Sequence, residues 1–186
     1  MEVQLTEGSI LVRTYREEDA GALYEAARES IAEVSAWLPW CHENYSIEES
    51  RDFIASRSHA SDNDEWYSFG IFEKETGRLL GGVGLIFINR VHQMANLGYW
   101  VRTSAVGHGV ATRATCLVAR FAFEQLGLHR IEIVAAVGNI ASQRVAEKAG
   151  AVREGVLRKR LLINRDSQDA VMFSLTPEDL IAPVGL

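Results

Sequence analysis

The segment Val106-Gly107-His108-Gly109-Val110-Ala111-Thr112 combines residue types and a position that fit anion binding. A strand candidate ends near Arg102, glycines follow at 107 and 109, and a helical period starts at once. That order leaves free backbone N–H groups at a helix N-terminus, where the helix dipole favours negative charge. Glycine lets the backbone approach an anion closely and adopt positive φ. Thr112 adds a hydroxyl donor or simply fills the first helical turn. Thr112 also stands where the third glycine of Gly-x-Gly-x-x-Gly would be, and no Gly-Lys-Ser/Thr follows, so neither a dinucleotide fingerprint nor a nucleotide P-loop is present. The glycines alone fit an anion site and a plain tight turn about equally.

Other reactive residue types are more dispersed. His92, His108 and His129 form no ligand set, and Cys41 and Cys116 lie outside any CxxC or Cys/His cluster, so neither metal nor disulfide is expected. Trp37 and Trp40 flank Pro39, where they serve either as walls of an acceptor cleft or as plugs of the core. His42, Glu43, Asp166 and Asp169 are candidate proton acceptors or substrate contacts, with turn and surface roles as the alternative.

The elements that must position these residues follow from periodicity. Ile10 to Thr14 reads as a strand and Arg16 to Glu29 as a helix, with Ala20, Leu23, Ala26 and Ala27 on one face. Val34 to Tyr45 is irregular around Pro39. Ser46 with Glu49 forms a capping box for a helix to about Ser58. After the polar run Ser61 to Glu65, the segments Trp66 to Phe72, Leu79 to Ile88 and Ala95 to Val101 read as consecutive antiparallel strands, because their links are too short for a parallel crossover. Gly107 to Leu126 is helical, with Val110, Ala114, Leu117, Val118 and Phe121 on one face and Gly127 as its stop. Ile131 to Val137 is a strand parallel to Ala95 to Val101, reached through that helix. Ile140 to Ala149 is a helix that Asn139 can cap with Ser142 at its third position. Val156 to Ile163 and Ala170 to Leu175 close the chain as a hairpin about Asn164-Arg165-Asp166.

With 186 residues, 47% of them apolar, the chain is expected to be a single domain over 1–186. Its net charge of -6 favours a cationic or neutral substrate over nucleic acid. No apolar run approaches a membrane span, and Met1 to Ser9 lacks the character of a signal peptide, so the cytoplasm is the expected compartment.

Taken in order, Leu97-Gly98-Tyr99-Trp100-Val101, the VGHGVAT loop, Asn139-Ile140-Ala141-Ser142 and Glu147-Lys148-Ala149-Gly150 resemble the GNAT superfamily of acetyltransferases, and within it the RimJ/RimL type that acetylates N-termini of ribosomal proteins. The likeness takes in the Trp-rich N-terminal part and the ending Asp169-Ala170-Val171-Met172-Phe173-Ser174-Leu175. It implies an α/β (α+β) fold: a mixed, mostly antiparallel sheet of about seven strands, with a splayed parallel pair and flanking helices. It also implies acetyl-CoA as co-substrate and no metal. The superfamily's Gln/Arg-x-x-Gly-x-Gly/Ala loop, which holds the CoA pyrophosphate, falls on Val106, Gly109 and Ala111. Val106 departs from Gln/Arg, so binding would rest on the backbone of Gly107, His108 and Val110, with Thr112 adding its hydroxyl. The pantetheine arm would pair with the backbone of Tyr99, Trp100 and Val101 and reach Asn139. Ser142 matches the group that protonates the departing thiolate, besides its capping role. A backbone N–H near Trp100 or Val101 could stabilise the oxyanion.

Two acids seen in relatives are missing, since Leu161 and Asn96 occupy their places. An α-amine titrates near 7.8 and a lysine near 10.4, so a site without a strong base gains about 3.5 kcal/mol by choosing the α-amine. The expected acceptor is therefore a protein N-terminus. Small amines (amino acids, polyamines, aminoglycosides) are the alternative substrates, and an acyl-CoA-binding sensor without turnover is the alternative class. Trp37, Trp40 and Asp169 are the candidate substrate contacts. Monomer and homodimer both remain open.

Overall fold

The computed structural model describes residues 3–58 and 66–180; the polar run Ser61 to Glu65 lies outside them. Eight strands form one sheet in the order β1-β2-β3-β4-β5-β6-β8-β7. They are β1 (Gln4–Glu7), β2 (Ile10–Thr14), β3 (Tyr67–Glu73), β4 (Leu79–Asn89), β5 (Met94–Val101), β6 (Arg130–Ala136), β7 (Val152–Ile163) and β8 (Asp166–Leu175). Every neighbouring pair is antiparallel except β5 and β6. That exception follows from the crossover through α4 (Val110–Glu124), which returns the chain in the same direction.

The count exceeds the expected seven by β1. Its four residues are mostly exposed and polar, and it pairs only with β2 at the sheet edge, so it carries no apolar alternation to read. The helix expected from Arg16 is divided: a 3-10 turn over Glu17–Asp19 precedes α1 (Ala20–Glu29). The break follows from Asp19, whose carboxylate accepts from the Arg16 N–H at 2.7 Å and binds the Arg13 guanidinium through both oxygens at 2.6 and 2.8 Å. The short α2 (Ile31–Val34) leads into the irregular stretch around Pro39. The capping box is present in full before α3 (Ile47–Ser58): Ser46 N donates to Glu49 Oε2 at 2.8 Å, and Glu49 N donates to Ser46 Oγ at 3.3 Å.

Both faces of the sheet are covered, which explains why β3 is buried on consecutive residues instead of alternate ones. On one face α4 presents Val110, Ala114, Leu117, Val118 and Phe121 to Phe69, Leu85, Leu97 and Ile131. On the other, Leu23, Ala26 and Ile54 of α1 and α3 pack against Phe72 and Leu79. The sheet thus separates two compartments, and α5 (Ile140–Lys148) stands beside the end of β6.

Candidate active site

On the α4 face the loop of interest is a turn shaped by torsion. Gly107 and Gly109 have φ of 85° and 71°, while a Cβ at either would meet nothing within 4 Å. Glycine is needed there for the left-handed backbone, not for space. Gly109 is the N-cap of α4, and no side chain caps that helix, so its first-turn N–H groups remain available. Arg113 folds back on the loop, donating to the carbonyls of His108 at 3.1 Å and Gly109 at 3.4 Å and to Ser9 Oγ at 3.2 Å. Val106 is exposed, so its side chain does not shape the loop.

The approach to this loop is braced from α1. Arg102 is buried, donates to the Leu79 carbonyl at 3.0 Å and pairs with Glu29. Glu29 also accepts from Ser104 N at 2.8 Å, and Ser30 Oγ accepts from Thr103 N at 3.1 Å. Arg102 first, then Ser104, hold the Glu29 carboxyl down at about 2.

Beside the loop the sheet opens. The β5–β6 ladder consists of Met94 with Arg130, Ala95 with Ile131 and Asn96 with Glu132, and no pairing joins the two strands beyond it. The rest of β5, Leu97 to Val101, keeps only its β4 neighbour. Tyr99 Oη spans the opening, donating to the Ser142 carbonyl at 2.9 Å and lying 3.1 Å from Ser142 Oγ. Ser142 is held in turn by its N–H to Asn139 Oδ1 at 3.0 Å. Burial pushes the Tyr99 hydroxyl up to about 12, so it remains a proton donor at neutral pH. An uncapped helix start beside an unpaired strand edge fits a long ligand with an anionic part and an extended amide arm.

On the opposite face lies a cavity of about 760 Å³. Its floor includes Gly82, Gly84 and Gly98 of β4 and β5, and Gly84 faces Gly98 across the strands. A Cβ on Gly82 would lie 2.6 Å from Trp100 Nε1 and 2.9 Å from Tyr15 Oη, whereas one on Gly98 would meet open space. Aromatic rings make the walls: Trp40 packs edge-on against Trp100 at 5.3 Å and Tyr45 at 5.6 Å, and Tyr15 against Phe53 at 5.7 Å. The polar lining includes His42 Nε2, 2.9 Å from Glu49 Oε1, and Arg57. The Glu49 carboxyl is lowered chiefly by its bond from Ser46 N.

The structure therefore gathers Tyr99, Asn139 and Ser142 at the opening, with the Val106 to Thr112 loop on the α4 face and Trp40 and His42 on the cavity wall. Trp37 does not line the cavity; its ring approaches Gly138, where a Cβ would be 3.4 Å away. Asp169 accepts from Lys159 N at 2.8 Å and fastens the irregularity in β7, while Asp166 accepts from Gln168. Leu161 pairs with Gln168 in the β7–β8 ladder and Asn96 with Ile86 in the β4–β5 ladder. The carbonyl of Glu43 accepts from Arg28. Both thiols are held above their ordinary value, first by burial. Sequence reasoning missed Tyr15, Tyr45, Phe53 and Arg57 as cavity residues; the glycines of Gly81-Gly82-Val83-Gly84 inside a strand were the available sign of close approach or open space. No group of three or more metal-ligating side chains occurs among the described residues. No helix among them is long and apolar enough to cross a membrane.

An opened parallel pair and an uncapped helix start on one face, with an aromatic-walled cavity on the other, suit an acyl-transfer enzyme, and residues 9–152 match the acetyltransferase (GNAT) domain family. The chain belongs to that family and is an N-acetyltransferase that uses acetyl-CoA. YjcK of Bacillus subtilis, provisionally named an N-acetyltransferase, is 40% identical over 137 residues, 73% of this chain and 76% of that protein. YdaF of the same organism, provisionally named a ribosomal N-acetyltransferase, is 31% identical over 169 residues, 89% of this chain and 90% of its own length. A Vibrio cholerae structure provisionally described as a ribosomal-protein-serine acetyltransferase superposes with a TM-score of 0.83 at 30% identity, covering 94% of this chain and 98% of that one. A spermidine N(1)-acetyltransferase of Vibrio cholerae is also similar, at 29% identity over 130 residues, 70% of this chain and 73% of that protein.

Proposed function

We propose that the acceptor is the N-terminal α-amine of a protein, of the ribosomal-protein type. The observation that carries this reading is the cavity lining: largely aromatic and apolar, with Glu49 as its one carboxylate among the described residues. A polyamine carries several positive charges, and each would have to leave water for this wall with a single counter-ion. A peptide N-terminus brings one amine, already neutral in about a tenth of molecules at pH 7. The likeness to YdaF and to the Vibrio cholerae structure supports the same choice.

Acetyl-CoA supplies an activated thioester. In the proposed mechanism the Val106 to Thr112 loop binds its pyrophosphate through backbone donors, and the free edge of β5 with Asn139 takes the amide arm. The aromatic walls orient the acceptor and exclude water. With no acid at Asn96 or Leu161, the amine's proton leaves through water. Tyr99 Oη and Ser142 Oγ hold a proton at the opening, where it can be handed to the leaving thiolate.

Thiol release from acetyl-CoA, measured with peptides bearing free N-termini, blocked peptides with one lysine, spermidine and aminoglycosides, tests the proposal. Free N-termini should lead by about tenfold or more in kcat/KM. Equal turnover of lysine or spermidine would overturn it.

A further inference from the structure

Arg57, in the last turn of α3, is a partly buried cation in the cavity wall with no counter-ion among the described residues. Its guanidinium lies 5.2 Å over the Phe53 ring and 4.7 Å over the Trp66 ring. The Arg57 Nε atom is buried with no hydrogen-bond partner among the described residues, and so is the neighbouring Trp66 Nε1. Burial lowers the Arg57 pKa from its ordinary value. The cavity's carboxylate, Glu49, is engaged by Ser46 and His42 and sits two turns away on the same helix, about 12 Å along its axis.

Two buried donors left without an acceptor are unusual, because a desolvated polar group is normally satisfied. Aromatic faces hold the guanidinium plane in place without using its N–H groups, which stay free for a planar, two-oxygen partner. We infer that Arg57 and Trp66 form a subsite for a carboxylate carried by the acceptor, so that this enzyme prefers amines with an acidic group near the amine. The inference rests on the reading that the aromatic cavity holds the acceptor. The carboxylate comes either from an acidic side chain within the first few residues of a protein or from the free carboxyl end of a small molecule.

The experiment compares peptides with Asp or Asn at position 2, 3 or 4, together with dipeptides bearing a free or an amidated C-terminus, on the wild type, Arg57→Gln and Arg57→Lys. For the wild type, at least one Asp peptide or free-carboxyl dipeptide should exceed its neutral counterpart by about tenfold in kcat/KM, the scale of one charge-assisted pair. Arg57→Gln should erase that preference, costing acidic acceptors about tenfold more than neutral ones, Arg57→Lys should keep part of it, and both should leave the KM for acetyl-CoA within about twofold. Equal wild-type rates on Asp and Asn peptides and on both dipeptide forms overturn the subsite, whether or not any variant folds. So does a loss in Arg57→Gln that falls equally on neutral and acidic acceptors. Turnover confined to free-carboxyl dipeptides, and dependent on Arg57, keeps the subsite and removes the protein N-terminal reading. Turnover of protein N-terminal peptides without regard to charge does the reverse.

Discussion

On the α4 face the surface proposed for acetyl-CoA is backbone: the glycine-shaped loop, the uncapped helix start and the free edge of β5. On the α1–α3 face the proposed acceptor surface is side chains, drawn from Tyr15, α1, the stretch around Pro39, α3, β3, β4 and β5. The first kind of surface tolerates replacement of a side chain, as the exposed Val106 illustrates. The second changes its selectivity with each residue in the wall. In the proposed mechanism a cosubstrate that needs only amide partners and a helix dipole is thus served by one face, and the acceptor is chosen by the other.

The sharpest way to break this division lies between the faces. Replacing Tyr99 by Phe and Ser142 by Ala together should lower kcat about a hundredfold, the scale of lost proton transfer, with each single change costing less because the other hydroxyl remains. The KM for acetyl-CoA should stay within about twofold; unchanged kcat in the double variant returns Ser142 to capping and Tyr99 to packing. Next, Gly98→Phe projects into open cavity space. It should lower kcat/KM for the acceptor by about thirtyfold, in the range set by steric exclusion from apolar pockets, and leave acetyl-CoA binding by calorimetry unaltered. An equal loss for both substrates would merge the two faces.

The mirror experiment is Gly109→Val. A β-branched residue at φ of 71° costs about 1–2 kcal/mol in the left-handed region, and its bulk also hinders an approaching phosphate. Acetyl-CoA should bind about tenfold more weakly, with acceptor discrimination unaltered.

The smallest effect concerns stability against pH. Glu29 is held at about 2 by Arg102 and Ser104, and Glu154 at about 2 by Arg130 and Ser174. Both folded values lie below the ordinary carboxyl value, so folding favours the ionised forms. Their contribution is fully present above about pH 4.5 and is lost as the pH falls toward 2. In urea melts from pH 7 to 2, Glu29→Gln and Glu154→Gln should converge on the wild type at the acid end; a constant gap would remove the ionic explanation.

These two faces also differ in how much of them could be read from sequence. The strand, Gly-x-Gly turn and helix of the proposed cofactor loop lie within 31 consecutive residues, 94–124, so local rules placed these elements, as they placed the Ser46–Glu49 box and the parallel β5–β6 pair. The cavity is assembled from positions as distant as Tyr15 and Trp100, and no period links them. Arg57 reads on its own as an ordinary basic residue near a helix C-terminus; only the rings of Phe53 and Trp66 make it conspicuous. The bracing of the loop by Glu29 and Arg102 escaped for the same reason, since the partners lie 73 residues apart. β1 escaped for another, because an exposed edge strand gives polar residues no face to avoid.

The paired glycines Gly84 and Gly98 have one more consequence. If the acceptor docks there as proposed, these glycines offer no side-chain torsion to freeze and no rotamer to swing aside for a larger one. The entropy lost on docking falls on the aromatic walls and on the acceptor itself. The depth of the cavity is set by the sheet, which works there as a fixed gauge of size while the rings above it adapt.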